Sequence, residues 1–275
     1  DYQIGQTANA DYPDFSSAAA DLERRGMICD IRFHVGKGSY NEQFSLSEVE
    51  GNGLYSITFN GGGSNPQLEY SPNHADSNYV VQINGIDNLR FKNLGFTNEA
   101  ATYGAIFDLN GRVDNFQLKD CELNGKSSAP NTPTSTADRY SLFNCAICDS
   151  LQIINSSFSD GSNALDFKGD SILIAQNIFE GNTKTAIDAN NSSPVEFRGN
   201  RILGPAAGNF KGIIGSGHPL LIADNQILNN TADCRGAIEV TNFGGLNAGD
   251  TVRIENNEIS VEVGVLGALL FPLSS

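Results

Sequence analysis

ILIAQNIF at 172–179, VEFRGNRI at 195–202 and LLIADNQI at 220–227 are one eight-residue phrase written three times. Its positions run apolar, any, apolar, any, polar, small or Asn, any, apolar. The same phrase stands at LRFKNLGF (89–96), FQLKDCEL (116–123), LQIINSSF (151–158) and VRIENNEI (252–259). Successive starts lie 27, 35, 21, 23, 25 and 32 residues apart. Strand-type alternation broken by a polar pair, returning at this period, predicts a solenoid of stacked coils.

A second short strand precedes the phrase in most coils: VQING (81–85), FDLNG (107–111), LDFKG (165–169), IDANN (187–191) and IEVTN (238–242). A third short strand fits the remaining length. Such coils suit an all-β fold, a single-stranded right-handed parallel β-helix of about nine coils, roughly 40 Å long at ~4.8 Å per strand. A propeller would need antiparallel hairpins and evenly sized blades. The sixth phrase position runs Leu94, Cys121, Ser156, Asn177, Asn200, Asn225 and Asn257. Its last four members form an asparagine ladder, expected to be structural, with Asn tolerating the left-handed turn between strands.

The one convincing helix is DFSSAAADLERRG (14–26). Asp14 or Ser16 can cap it, Phe15, Ala19 and Leu22 share a face, and Gly26 ends it. It is expected to cover the first coil, whose cross-section and strand edges would otherwise be bare. Two inserts, 126–138 and 243–250, read as exposed loops, and the apolar stretch 261–275 reads as a C-terminal end or cap. The whole of 1–275 is expected to be one β-helix domain, and part of a longer chain.

Lys plus Arg number 17 against 32 Asp plus Glu, a net charge of −15. That balance disfavours nucleic acid and anionic lipid as partners. It also disfavours an acidic polysaccharide unless a divalent cation bridges the two. No apolar run is long enough to insert in a membrane, and DYQIGQTANADYP carries no signal-peptide pattern. Five cysteines, Cys29, Cys121, Cys145, Cys148 and Cys234, leave at least one unpaired within the chain. The lone CxxC has no second pair for a zinc site. Plain buried cysteines are the expectation, with one disulfide as the alternative.

The segments IGQTANADYPDFSSAAADLERRGMICDIRFHVGKGSYNEQFSL (4–46) and YVVQINGIDNLRFKNLGFTN (79–98) carry a family resemblance. The first resembles the opening of pectin-methylesterase-like β-helices, through Asp11–Tyr12, Phe15, Ala18, Gly38, Tyr40 and Glu42. Together they look still more like β-helix modules of large secreted bacterial surface proteins. The resemblance implies a cell-surface or extracellular protein. It does not carry the enzymes' signatures. Asp166 stands where a pectin methylesterase places its DFIFG aspartate, but no Gln-Asp pair precedes it and tryptophan is absent. Ser162 and Asn163 stand where polygalacturonases have paired aspartates, and GSGHP (215–219) matches their Gly-His-Gly only in part. Lys168 is a weak counterpart of a lyase base.

The chemistry-bearing residues lie on the second strands. Gln82, Asp108, Asp166, Asp188 and Glu239 occupy the middle position, with Ile214 before the last. Alternation turns Leu165, Phe167, Ile187 and Ala189 inward and these acids outward. Asp166 and Asp188 belong to successive coils and so stack one strand apart. They can be read as a solvated acidic face, as a Ca²⁺ or glycan site, or, with Lys168, as a catalytic pair. Asp108 and Glu239 are glycan-binding candidates, as are Tyr103, Tyr140 and Phe243, whose rings flank the inserted loops and could stack on sugars. His34, His74 and His218 are scattered, and no nucleophile elbow accompanies them. Three functions stay open: a non-catalytic surface module for adhesion or binding of a polysaccharide or surface glycan; a polysaccharide lyase or pectinesterase-like enzyme; and a structural spacer. No cofactor is implied beyond a possible Ca²⁺.

Overall fold

The computed structural model describes residues 1–100, 104–126, 141–189, 192, 194–205, 210–216, 219–229, 236–241, 251–261 and 269–270. Within them the chain winds through three parallel sheets of ten, nine and nine strands. Sheet 1 contains Ile31–Val35, Ile57–Asn60, Leu89–Lys92, Gln117–Lys119, Gln152–Ile154 and Val195–Arg198, among others. Sheet 3 contains Phe44–Ser47, Val81–Asn84, Phe107–Asp114, Ser141–Asp149, Asn163–Phe167, Thr185–Ala189, Lys211–Ser216 and Gly236–Thr241, and ends on Leu269–Leu270.

The eight-residue phrase is two strands. Val195–Arg198 lies in sheet 1 and Arg201–Leu203 in sheet 2. The bend falls at the fifth position, where Asn93, Asp120, Asn155, Gln176, Gly199, Asp224 and Asn256 all have φ between 50° and 60°. The left-handed turn therefore belongs to position five, not to the asparagine at position six. That asparagine points inward. Asn177, Asn200 and Asn225 are buried, and each of their Nδ2 groups donates to the Oδ1 of the next asparagine at 2.9–3.1 Å. The backbone N–H of each donates to the same oxygen at 3.0 Å. The ladder thus satisfies polar backbone at the buried corners that it spans.

The lumen is filled by the inward residues of all three sheets, nearly all fully buried. Phe33, Phe59 and Phe91 are register partners in successive strands, their rings stacked with centroids 4.8 and 5.2 Å apart. Each buried phenylalanine contributes about 1.5–3 kcal/mol by removal from water, and stacking adds about 0.5–1.5 kcal/mol per pair.

The helix Phe15–Arg25 closes the first coil, burying Phe15, Ala18, Ala19 and Leu22. Asp14 Oδ1 accepts from Ser17 N–H at 2.8 Å, and Gly26, at φ 66°, ends the helix with its N–H on Leu22 C=O. The residues shared with pectin-methylesterase-like openings build this cap. Glu42 takes the Phe15 and Ser16 N–H groups on its two oxygens at 2.9 Å. The Tyr40 ring meets Phe15 edge-on, and its hydroxyl donates to Gly36 C=O at 2.9 Å. Their role is to satisfy a helix N-terminus at the end of a solenoid.

Among the described cysteines the expectation of plain burial holds only for Cys121. Cys29 is exposed, and the alternative of one disulfide is what Cys145 and Cys148 form. Residues three apart on an ideal strand face opposite sides. Here Ala146 and Ile147 are both exposed between two buried cysteines, because the strand bends where the register between Phe107–Asp114 and Ser141–Asp149 shifts. Cys234, the loop at 127–138, the loop at 243–250 and nearly all of 261–275 lie outside the described residues.

Candidate functional site

Parallel register makes each outward position of sheet 3 a column along the solenoid. The middle column runs Ser45, Gln82, Asp108, Asn144, Asp166, Asp188, Ile214 and Glu239. Neighbours are one strand spacing apart, ~4.8 Å. Asp166 and Asp188 are direct partners, both half-buried, flanked by buried Leu165, Phe167, Ile187 and Ala189. Among the described residues no third His, Cys, Asp or Glu joins them into a metal-binding group. Both carboxylates also have interaction partners within the protein. Lys168, two residues after Asp166, is exposed just past its strand, and its backbone N–H bonds to Cys145 C=O.

The most organised point of the column is Asp108. Asn110 Nδ2 donates to Asp108 Oδ2 at 2.9 Å, and Asn144 Nδ2 donates to Asp108 Oδ1 at 3.2 Å. Gln82 Nε2 stands 3.5 Å from Oδ2. Three carboxamides thus fix one carboxylate in a single orientation. A cleft of about 180 Å³ opens beside it, lined by Ala75, Asp76, Asn78, Tyr79, Ala105 and Asn144 with Asp108. Burial, and then the Asp108 charge, push the Tyr79 hydroxyl above its ordinary pKa. The cleft is smaller than the ~300–1,000 Å³ of pockets that enclose a small molecule. It offers a foothold for part of a ligand lying along the face.

Glu239 is closed off by Lys211, whose Nζ lies 2.6 Å from Glu239 Oε2. It is a structural ion pair here and does not extend the polar strip. Tyr103, Tyr140, Phe243 and His218 lie outside the described residues. Sequence reasoning missed Asn144, Asn110 and Tyr79. Asn144 had a signal: Phe143-Asn144-Cys145 repeats the inward–outward–inward pattern of Phe107-Asp108-Leu109 and Leu165-Asp166-Phe167. The nine-residue run through a bulge hid it.

A family model described as a right handed beta helix region matches residues 141–265. Two crystal structures of the pectin methylesterase from Aspergillus niger are similar to the chain. One is the deglycosylated form, with a TM-score of 0.55. The other is penultimately deglycosylated with an N-acetylglucosamine stub, with a TM-score of 0.54. Each alignment is 11% identical and covers 100% of this chain and 90% of that one. No curated protein sequence is significantly similar. At this identity the likeness establishes the right-handed parallel β-helix and nothing of the chemistry.

Proposed function

We propose that this chain is an extracellular β-helix module that holds a glycan along the outward face of sheet 3 without processing it. The observation that carries the reading is the Gln82–Asp108–Asn144 column with its amide-fixed carboxylate and adjoining cleft. Alternating carboxamides and a carboxylate at one strand spacing present both acceptors and donors to sugar hydroxyls. The cleft beside Asp108 is shallow, which suits an extended chain rather than an enclosed small molecule. The similar fold belongs to a pectin methylesterase, which fits a carbohydrate ligand. The Cys145–Cys148 disulfide fits an oxidising, extracellular setting. No helix among the described residues is long and apolar enough to cross a membrane.

Binding rather than catalysis is favoured by how the acids stand. Carboxylates that cleave a glycosidic bond flank it from two sides, whereas Asp166 and Asp188 stand side by side in one row of one face. Adjacent carboxylates suit a different task, which gives the second reading: a Ca²⁺ ion seated on Asp166 and Asp188. Calcium takes about six to eight oxygens, and two carboxylates supply at most four of them, so ligand hydroxyls and water would complete the shell. A panel of plant, algal and microbial polysaccharides, with and without Ca²⁺, tests both readings. Binding lost in Asp108→Ala supports the first, and binding that needs Ca²⁺ and is lost in Asp166→Ala supports the second. Released oligosaccharide or methanol overturns both.

A further inference from the structure

The protein carries −15 overall, yet one face concentrates cations. The two outward columns of sheet 1 include Arg32, Thr58, Arg90 and Gln117 in one, and Gln3, His34, Asn60, Lys92 and Lys119 in the other. Arg32, Arg90, Lys92 and Lys119 therefore share one face within three strand spacings, about 14 Å. Arg90 and Lys92 stand two apart on the same strand, and Lys119 is the register partner of Lys92.

The rest of the same face treats cations differently. Arg198 is paired with Glu196, two residues before it on its strand, at 2.8 Å. Arg253 is paired with Glu255, two residues after it, at 2.7 Å. Where Leu89–Lys92 could place an acid beside its cation, it places a second cation. None of the four is in an ion pair among the described residues. Two acids act on the patch through their charge, Asp30 on Arg90 and Arg32 and Asp120 on Lys92, but neither forms an ion pair with any of the four, and each is hydrogen-bonded to another residue. Asp30 Oδ1 accepts from Ser56 N–H and Oγ at 2.8 and 2.9 Å, and Asp120 Oδ1 accepts from Asn155 Nδ2 at 2.6 Å. Burial, and then the charges of Arg90, Lys119 and Arg32, hold the Lys92 amine below its ordinary pKa. The crowding is felt by a half-buried group, and like charges set opposite one another cost stability.

We infer that this face of sheet 1 is a second binding surface, taking the anionic groups of an acidic glycan through Arg32, Arg90, Lys92 and Lys119. A flat sheet with half-sunk amines reaches only a ligand that lies flat on it. The neutral positions in the same columns, Thr58, Asn60, Gln117 and Gln152, offer hydroxyl and amide groups for the uncharged parts of a sugar chain. A narrow chain fits within the patch, whereas a bilayer or a duplex would also meet the surrounding acidic surface and be repelled. Such a surface would take an acidic polysaccharide without the bridging divalent cation that the net charge led us to expect, and it does not rest on the reading of sheet 3.

Dextran sulfate, carboxymethyl dextran and plain dextran share a backbone and differ in charge, so they test the surface directly. At about 50 mM salt one or both charged dextrans should bind, and plain dextran should not bind this face. The one that binds identifies sulfate or carboxylate as the recognised group. Lys92→Gln with Lys119→Gln should weaken that binding about tenfold or more and flatten its salt dependence, with the melting temperature unchanged or higher. Arg198→Gln with Arg253→Gln, the paired cations of the same face, should stay within about twofold. No binding to either charged dextran, equal binding by the Lys92/Lys119 variant, or tighter binding to phosphatidylserine vesicles would overturn the inference.

Discussion

Replacing Asn200 by alanine removes an inner rung of the asparagine ladder. Its Nδ2 donates to Ile174 C=O at 2.8 Å and to Asn225 Oδ1 at 2.9 Å. Its Oδ1 accepts from Asn177 N–H at 3.0 Å and Asn177 Nδ2 at 3.1 Å. The site is 1% exposed, so water cannot replace these partners. Four hydrogen bonds at about 1 kcal/mol net each predict a loss of about 4 kcal/mol. Asn257 is the control. It is the last rung and only half-buried, so Asn257→Ala should cost about 1 kcal/mol, since water can take over there. Asn200→Asp separates hydrogen bonding from size. A buried carboxylate would accept from Asn177 but face Ile174 C=O and Asn225 Oδ1 with no proton to give. It should be worse than alanine at pH 7 and recover as the pH falls and the group is protonated. Urea unfolding followed by circular dichroism, comparing midpoints at constant m, reads all three. If Asn200→Ala costs no more than Asn257→Ala, the ladder is not what holds the corners.

Burial, and then the Glu180 charge, raise the Asp160 carboxyl above its ordinary 3.8. A raised acid penalises the folded state once the unfolded chain ionises. The penalty is absent well below pH 3.8, grows as pH rises through that value, and is complete above the folded pKa. Asp160→Asn should therefore stabilise at pH 7 and lose its advantage near pH 3, as melting temperatures across that range would show; a gain that persists at pH 3 refutes the assignment. Cys121 is fully buried, its thiol pushed up to about 12 by burial, while Cys29 is exposed. In a Cys234→Ser chain a thiol reagent at pH 8 should label Cys29 alone until urea unfolds the protein; two fast thiols in the native protein would contradict the described core.

The repeat was legible because strand alternation survives in each copy and the inward sixth position is asparagine in the last four. The outward placement of Asp108, Asp166 and Asp188 followed from the same alternation, and the helix cap from Asp14 and Gly26. Less was legible where register acts. Nothing local to Arg32, Arg90 or Lys119 announces that they share a face, since they are brought together by pairing across 20 to 90 residues of chain. The position-five bend was masked because Gln176, Asp120 and Asp224 do not advertise a left-handed turn as Gly199 does. Asn144 and the Cys145–Cys148 bond were masked by the bulge, which breaks the alternation used to find strands. The Asp108 cleft needed Tyr79 and Asn78 from the preceding coil, which no spacing rule links to Asp108.

The most direct test of the proposed function follows glycan binding and product release in the same samples, for the native protein and for Asp108→Ala. Binding without released oligosaccharide or methanol, weakened about tenfold or more by the substitution with the melting temperature preserved, is the predicted result. Product release that disappears in Asp108→Ala would make the sheet 3 face an active site, and binding that ignores the substitution would move the ligand elsewhere on the solenoid.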